Sequence, residues 1–252
     1  MASITLADIY NDGITDYRDT FKTVYLTPGS PNTYYKNMWV YHQMPTVAEW
    51  ERDQQLQRRQ HLSQGSDHLC FYFPENAILD DHWQAVIRNK KYQLGTLELY
   101  AVEPDQFLSE NRCDTSIEIT TVNTHNLNDY LEVFRQFSLP YGKEFTEESI
   151  SEIRETYLLD EKERLVAYSN GTPIGILDLI FRDNTVEIDG FGVIESMRRR
   201  GIGTAMQRYV AKVARGRTMI LVADGDDTAK DMYLKQGYIY ISFCYQILKE
   251  HI

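Results

Sequence analysis

The stretch Val193-Ile-Glu-Ser-Met-Arg198-Arg-Arg-Gly201-Ile-Gly203-Thr204 decides the fold: it reads as a strand end, a short loop and a helix start. Two glycines leave the backbone N–H groups of a helix entrance unobstructed, where the positive end of the helix dipole also lies. Arg198, Arg199 and Arg200 beside them supply countercharge suited to a diphosphate. The segment therefore predicts a phosphate cradle, against the plainer reading in which the glycines serve helix–strand packing and the arginines are only solvated. From Ser196 to Arg217 there are seven basic residues and no acid, in a 252-residue chain with 37 acidic and 26 basic residues and a net charge of −11. An isolated basic island on an acidic chain suits a small polyanion and argues against a nucleic-acid partner, which needs a broad basic face.

Outward from the cradle the chain alternates between elements. Apolar runs at Arg164 to Tyr168 and Pro173 to Phe181 flank Asn170-Gly171, a strong hairpin signal because both turn residues must accept positive φ. Thr185 to Val193 is a third strand. A helix from about Arg200 to Arg215 presents Ile202, Met206, Tyr209, Val210 and Val213 on one face. A strand over Thr218 to Ala223, a helix over Asp227 to Gln236 ended by Gly237, and a long aromatic strand from Tyr238 to Leu248 complete the series. Upstream, helices are expected at Asn126 to Ser138 and Thr146 to Leu158. The first half carries a capping box at Thr46 to Glu49 opening a helix to about Leu62, then a strand from His68 to Phe73, a helix from Ala77 to Lys90 and a strand from Tyr92 to Val102. The same helix–strand–helix–strand order thus recurs about 150 residues apart, which suggests a degenerate duplication whose first copy lacks the basic entrance. Glu103 to Arg112 reads as a linker. The division expected is therefore 1–112, a smaller α/β N-terminal domain, and 113–252, which holds the site.

Two alternatives for the phosphate ligand fail on spacing. A dinucleotide fingerprint requires a third glycine where Met206 stands, although Asp224 lies where its acid would be, and there is no G-x-x-x-x-G-K loop. Arg198-x-x-Gly201-x-Gly203 after a strand ending at Val193 instead resembles the acetyl-CoA motif of the GNAT acyltransferases. Ala229-Lys-Asp-Met-Tyr233-Leu-Lys-Gln-Gly237-Tyr238 is similar to that family's downstream A-x-x-L-Y-x-x-x-G-F/Y segment. The resemblance spans about Thr115 to Ile252. It implies a mixed, mostly antiparallel α/β sheet flanked by helices, with acetyl-CoA as co-substrate for N-acetyl transfer to a small-molecule or peptide amine.

By that resemblance Phe191, Gly192 and Val193 offer backbone groups to the pantetheine arm, and Arg198 through Thr204, including Arg199, Arg200, Ile202 and Gly203, hold the phosphates. Glu187, six residues before Val193, matches a glutamate base in the histone acetyltransferase branch and is preferred to Asp189. Tyr233 resembles the general acid beside the departing sulfur. Asp226 stands where the family often carries an asparagine that contacts the cofactor, and its charge is unhelpful there. The other functional reading is a weak or inactive acyl-CoA sensor or partner-binding module.

Six histidines without paired spacing and three cysteines without CxxC spacing imply no metal and no disulfide framework. No apolar run is long enough to span a membrane, and Asp8 interrupts any signal-peptide pattern, so a cytoplasmic protein is expected. The N-terminal part, with all three tryptophans, is expected to cover one side of the acceptor cleft or to pair two copies as a homodimer.

Overall fold

The structure, a computed structural model, describes residues 4–113, 115–225 and 229–252. In chain order the elements are β1 (Thr15–Arg18), β2 (Lys22–Tyr25), β3 (Trp39–Tyr41), α1 (Val47–Gln64), β4 (His68–Tyr72), α2 (Asp81–Asn89), β5 (Gln93–Val102), α3 (Pro104–Glu110), β6 (Glu118–Thr121), α4 (Leu127–Ser138) and α5 (Lys143–Thr156). They continue with β7 (Lys162–Ser169), β8 (Thr172–Phe181), β9 (Thr185–Val193), α6 (Ile202–Val213), β10 (Thr218–Asp224), α7 (Ala229–Lys235) and β11 (Ile239–Glu250). Two compact units divide them. One contains Tyr100–Val222 and Asp231–Tyr240; the other contains the described residues of 3–99, 223–230 and 241–252, and so is discontinuous in sequence. Among the described residues no helix is long and apolar enough to cross a membrane.

In the N-terminal unit the strands run β1-β2-β3-β4-β11-β5. The capping box forms as expected: Thr46 accepts from Glu49 N while the Glu49 carboxylate accepts from Thr46 N. Trp50 is fully buried and its ring meets Phe71, Phe73, Trp83 and Tyr92, an aromatic core that includes two of the three tryptophans at one point. Helix α2 starts at Asp81, four residues later than the apolar pattern suggests, because Asp80 caps it by accepting from Trp83 N at 2.8 Å.

The other unit orders its strands β10-β9-β8-β7-β6, with β6 to β9 antiparallel and β9–β10 parallel. The expected mixed, mostly antiparallel α/β architecture is present. Asn170 and Gly171 take φ of 50° and 75°, as the tight hairpin between β7 and β8 demands. Cross-strand pairs place Ile176 of β8 beside Val166 of β7 and Gly192 of β9; this face is covered by α4 and α5 through Tyr130, Val133 and Ile150. The opposite face carries α6, and a Cβ on Gly175 would lie 3.0 Å from Met206 Sδ and 2.9 Å from Gly192 O.

Two expectations are corrected here, and four strands were not anticipated. The supposed linker at Glu103 to Arg112 contains α3, opened by Pro104 at its first position and anchored by fully buried Phe107 against Tyr238. Helix α5 starts at Lys143, because Gly142, at φ 118°, ends the turn made by Leu139–Tyr141; Thr146 lies inside the helix and donates to Gly142 O. Strands β1, β2, β3 and β6, each three or four residues long, are too short to show an alternation in the sequence.

Candidate active site

Strand β9 carries the site's framework. Its antiparallel register with β8 passes from Asp178–Asp189 to Ile176–Gly192, so β9 uses three residues where β8 uses two. Gly190, at φ 54°, supplies the left-handed residue of this bulge. The bulge falls after Asp189, so Glu187 and Asp189 keep a common face, and Gly192 is brought onto that face too. Gly192 has no room for a side chain there: a Cβ would lie 2.7 Å from the Phe137 ring of α4.

On its other edge β9 parts from β10. Their parallel register runs only from Thr185–Thr218 to Glu187–Ile220. Beyond it β9 continues to Val193 and β10 to Asp224, so the backbone of residues 188–193 extends past the ladder on the β10 side. Phe191, Gly192 and Val193 all lie in that stretch. The carbonyl of Val193 is engaged, accepting from Arg198 Nε at 3.0 Å, which closes the turn back onto the strand end.

Helix α6 follows directly. Gly201, at φ 77°, is its N-cap; the cap makes no side-chain hydrogen bond, and no acid stands in the first turn. Arg199 is also left-handed, at φ 61°. Arg198, Arg199 and Arg200 are exposed, Ile202 is buried in the core and Gly203 is close-packed, 3.3 Å from the Phe191 ring if a Cβ is added. An uncapped twelve-residue helix with three adjacent guanidinium groups fits an anionic ligand chemically.

Glu187 is only 6% exposed and stands between Ile180 and Ile220 on the neighbouring strands. On the same face the fold assembles an ionic cluster that sequence reasoning missed. Tyr130 Oη donates to Asp178 Oδ1 at 2.8 Å, Lys162 Nζ reaches Asp189 Oδ2 at 2.7 Å, and Arg164 grips Asp160 through two hydrogen bonds of 2.8 and 2.6 Å. Burial pushes Asp178 up to about 6, with Lys162 and Arg164 opposing. Burial acts in the same sense on Asp189, but the Lys162 ammonium and the Gly190 N–H outweigh it and hold that carboxyl below its ordinary range. The signal was present in the period-2 alternation of Lys162 and Arg164, but pairing three strands correctly requires the register.

Tyr233 lies on α7, 9% exposed, with its ring 5.5 Å from Tyr238 and 6.3 Å from Tyr100. Gly237 ends that helix at φ 88°, as expected. Asp226 lies outside the described residues, as does the expected start of this helix at Asp227. Cys70 and Cys244 are buried, which raises both thiols, Cys244 to about 12. Among the described residues no three His, Cys, Asp or Glu side chains gather as a metal site requires.

A strand that outruns its parallel neighbour, a glycine bulge and an arginine-rich helix entrance make a site suited to an anionic ligand. Residues 130–238 match the Acetyltransferase (GNAT) family and form a domain of that family. Residues 4–100 match a separate family described as a domain of unknown function (DUF5613). No curated protein matches the sequence. The crystal structure of a functionally unknown conserved protein from Staphylococcus epidermidis is 46% identical, covering 99% of this chain and 98% of its own, with a TM-score of 0.93. A GCN5-related N-acetyltransferase from Kribbella flavida shares the fold over 92% of this chain and 88% of its own, at 15% identity and a TM-score of 0.61. A tandem GNAT protein from the clavulanic acid biosynthesis pathway does so over 92% and 78%, at 11% identity and 0.54. Family membership supports an acyltransferase.

Proposed function

We propose that the protein is an acetyl-CoA-dependent N-acetyltransferase that transfers an acetyl group directly to a primary amine. The observation that carries this reading is the parting of β9 from β10 immediately before an uncapped, arginine-flanked helix entrance. A strand edge outside its ladder can pair with the amide groups of a pantetheine arm, and the N–H groups of the first helical turn can meet a diphosphate. Acetyl-CoA would supply the activated thioester.

The chain's own residues do the rest. Arg198, Arg199, Arg200 and the backbone of Gly201 through Thr204 hold the phosphates, and Phe191, Gly192 and Val193 orient the arm. Ile194 N–H is committed to Ile174 O of β8, so by the alternation of the ladder Gly192 faces β8 and Val193 faces the open edge, where its carbonyl is shared with Arg198. The Glu187 carboxylate takes a proton from the acceptor amine, directly or through water, so that a neutral nitrogen attacks. The Tyr233 phenol gives a proton to the departing sulfur. The N-terminal unit is read as a degenerate copy of the same fold that shapes the acceptor side or pairs two copies; a tandem GNAT neighbour is consistent with that reading.

Calorimetric titration of acetyl-CoA, with NADH and ATP as controls, tests the cofactor. Selective binding that disappears in Arg198→Ala/Arg200→Ala is expected; no binding, or binding of NADH instead, would end this reading. Release of free CoA with a panel of amines tests turnover. In Glu187→Gln the rate is expected to fall by about 10²–10⁴-fold while acetyl-CoA affinity stays within about twofold. A variant as fast as wild type would remove Glu187 from the proton transfer.

A further inference from the structure

Between α3 and β6 the chain passes over the outer side of α6, and its polar groups fasten onto the turn that opens that helix. Thr115 Oγ1 donates to Arg200 O at 2.9 Å, and Cys113 Sγ to Gly201 O at 3.4 Å. Asn111 Nδ2 donates to Gln236 O at 2.8 Å, and Gln236 Nε2 in turn to Thr204 Oγ1 at 3.1 Å. Arg208, nearly two turns into α6, donates to Asn111 O and to Leu108 O. An open pocket of about 190 Å³ adjoins the segment, lined by Cys113, Thr115, Ile117, Ala205, Arg208 and Tyr209 among others. Apolar packing is therefore incomplete between this segment and the helix, and the hydrogen bonds set its position.

From this geometry we infer that Asn111, Cys113 and Thr115 act as a strap that positions the anion-binding turn, with Thr115 as its principal positioning residue. The argument is one of peptide geometry. In a trans peptide the carbonyl and the N–H point in opposite directions. Thr115 draws the Arg200 carbonyl toward the strap, which turns the N–H of the same peptide, that of Gly201, away from it and toward the open side of the cradle. Cys113 acts likewise on the Gly201 carbonyl, whose peptide partner is the Ile202 N–H; that carbonyl also accepts the first helical bond, from Ala205 N at 2.9 Å. The turn needs such support, since Arg199 and Gly201 both occupy the left-handed region and Arg199 carries a side chain there. Gly201 must also be glycine for the strap to sit so close: a Cβ would come 2.7 Å from Thr115 Oγ1. The strap thus prepays the ordering of the donors before a diphosphate arrives.

This inference rests on the acetyl-CoA reading, and the test separates the two. Wild type, Thr115→Val and Thr115→Ser of the full chain are titrated with acetyl-CoA and with acetyl-pantetheine, which lacks the diphosphate. Thr115→Val is expected to weaken acetyl-CoA by on the order of tenfold, to leave acetyl-pantetheine unchanged, and to melt with wild type; Thr115→Ser is expected to restore wild-type affinity. Equal weakening of both ligands, or no weakening of acetyl-CoA, would overturn the strap's role while the cofactor reading stands. If wild type itself fails to bind acetyl-CoA, both fall together.

Discussion

Asp178 is a residue whose consequences depend on neighbours that no local motif supplies. It is 4% exposed, holds the Tyr130 hydroxyl and has Lys162 Nζ and Arg164 Nε each at 3.9 Å, yet burial still raises its carboxyl to about 6. A folded-state value above the unfolded one means the native structure favours the protonated form. Its stabilising contribution is therefore complete below about pH 4 and is lost as pH rises through about 6. Asp178→Asn, which cannot ionise, should gain stability relative to wild type between pH 4 and pH 7; urea denaturation at both pH values measures it. A constant difference across that range would show that Asp178 is charged throughout. By contrast the candidate reacting groups were legible as types and positions: Glu187 by its spacing from Val193, Tyr233 by its frame. What spacing could not show is that Glu187 is buried between two isoleucines.

At the scale of elements, close packing of α6 against the sheet is the feature most exposed to substitution. Gly175→Ala would set a methyl 2.9 Å from the Gly192 carbonyl, a backbone atom that cannot step aside. We expect a loss of about 1–3 kcal/mol in unfolding free energy, read from urea midpoints, with acetyl-CoA binding weakened as well because Gly192 precedes Val193 at the open strand edge. A neutral result would mean the helix shifts freely on the sheet. The strong elements were readable because each carries its own instruction: Asn170-Gly171 fixes a hairpin, Thr46 and Glu49 a helix start, Gly237 a helix end. Helix α3 was missed because its seven residues are too short for a periodic signal, and its burial comes from Tyr238, 131 residues away by the sequence numbering.

At the scale of the molecule the N-terminal unit carries its own pH sensitivity. His61 and His68 are fully buried with ring centroids 4.9 Å apart; His61 Nδ1 lies 2.7 Å from His68 O, and among the described residues the Nε2 of His61 and Nδ1 of His68 find no hydrogen-bond partner. Burial lowers both, His61 to about 4. Here the native structure favours the neutral form, so the contribution is present above about pH 6.5 and is lost as pH falls toward 4. All three tryptophans belong to this unit, so tryptophan fluorescence during urea unfolding reports on it. Its midpoint should fall between pH 6.5 and 4, and less so in His61→Gln. A midpoint independent of pH in wild type would contradict the buried, neutral pair.

The sequence by itself determined the hairpin and the order of strands and helices around the cradle, because each rests on local rules of turn geometry, capping and periodicity, and it displayed the basic island and the two spaced motifs that resemble the GNAT family. Only the tertiary structure decided the rest. The register of three strands set Lys162, Arg164, Asp178 and Asp189 on one face, the early end of the β9–β10 ladder opened a strand edge, and Cys113 and Thr115 came to hydrogen-bond the turn at Gly201. Those arrangements join groups far apart in the chain, and hydrogen-bond registry and side-chain packing, rather than any local preference, hold them together.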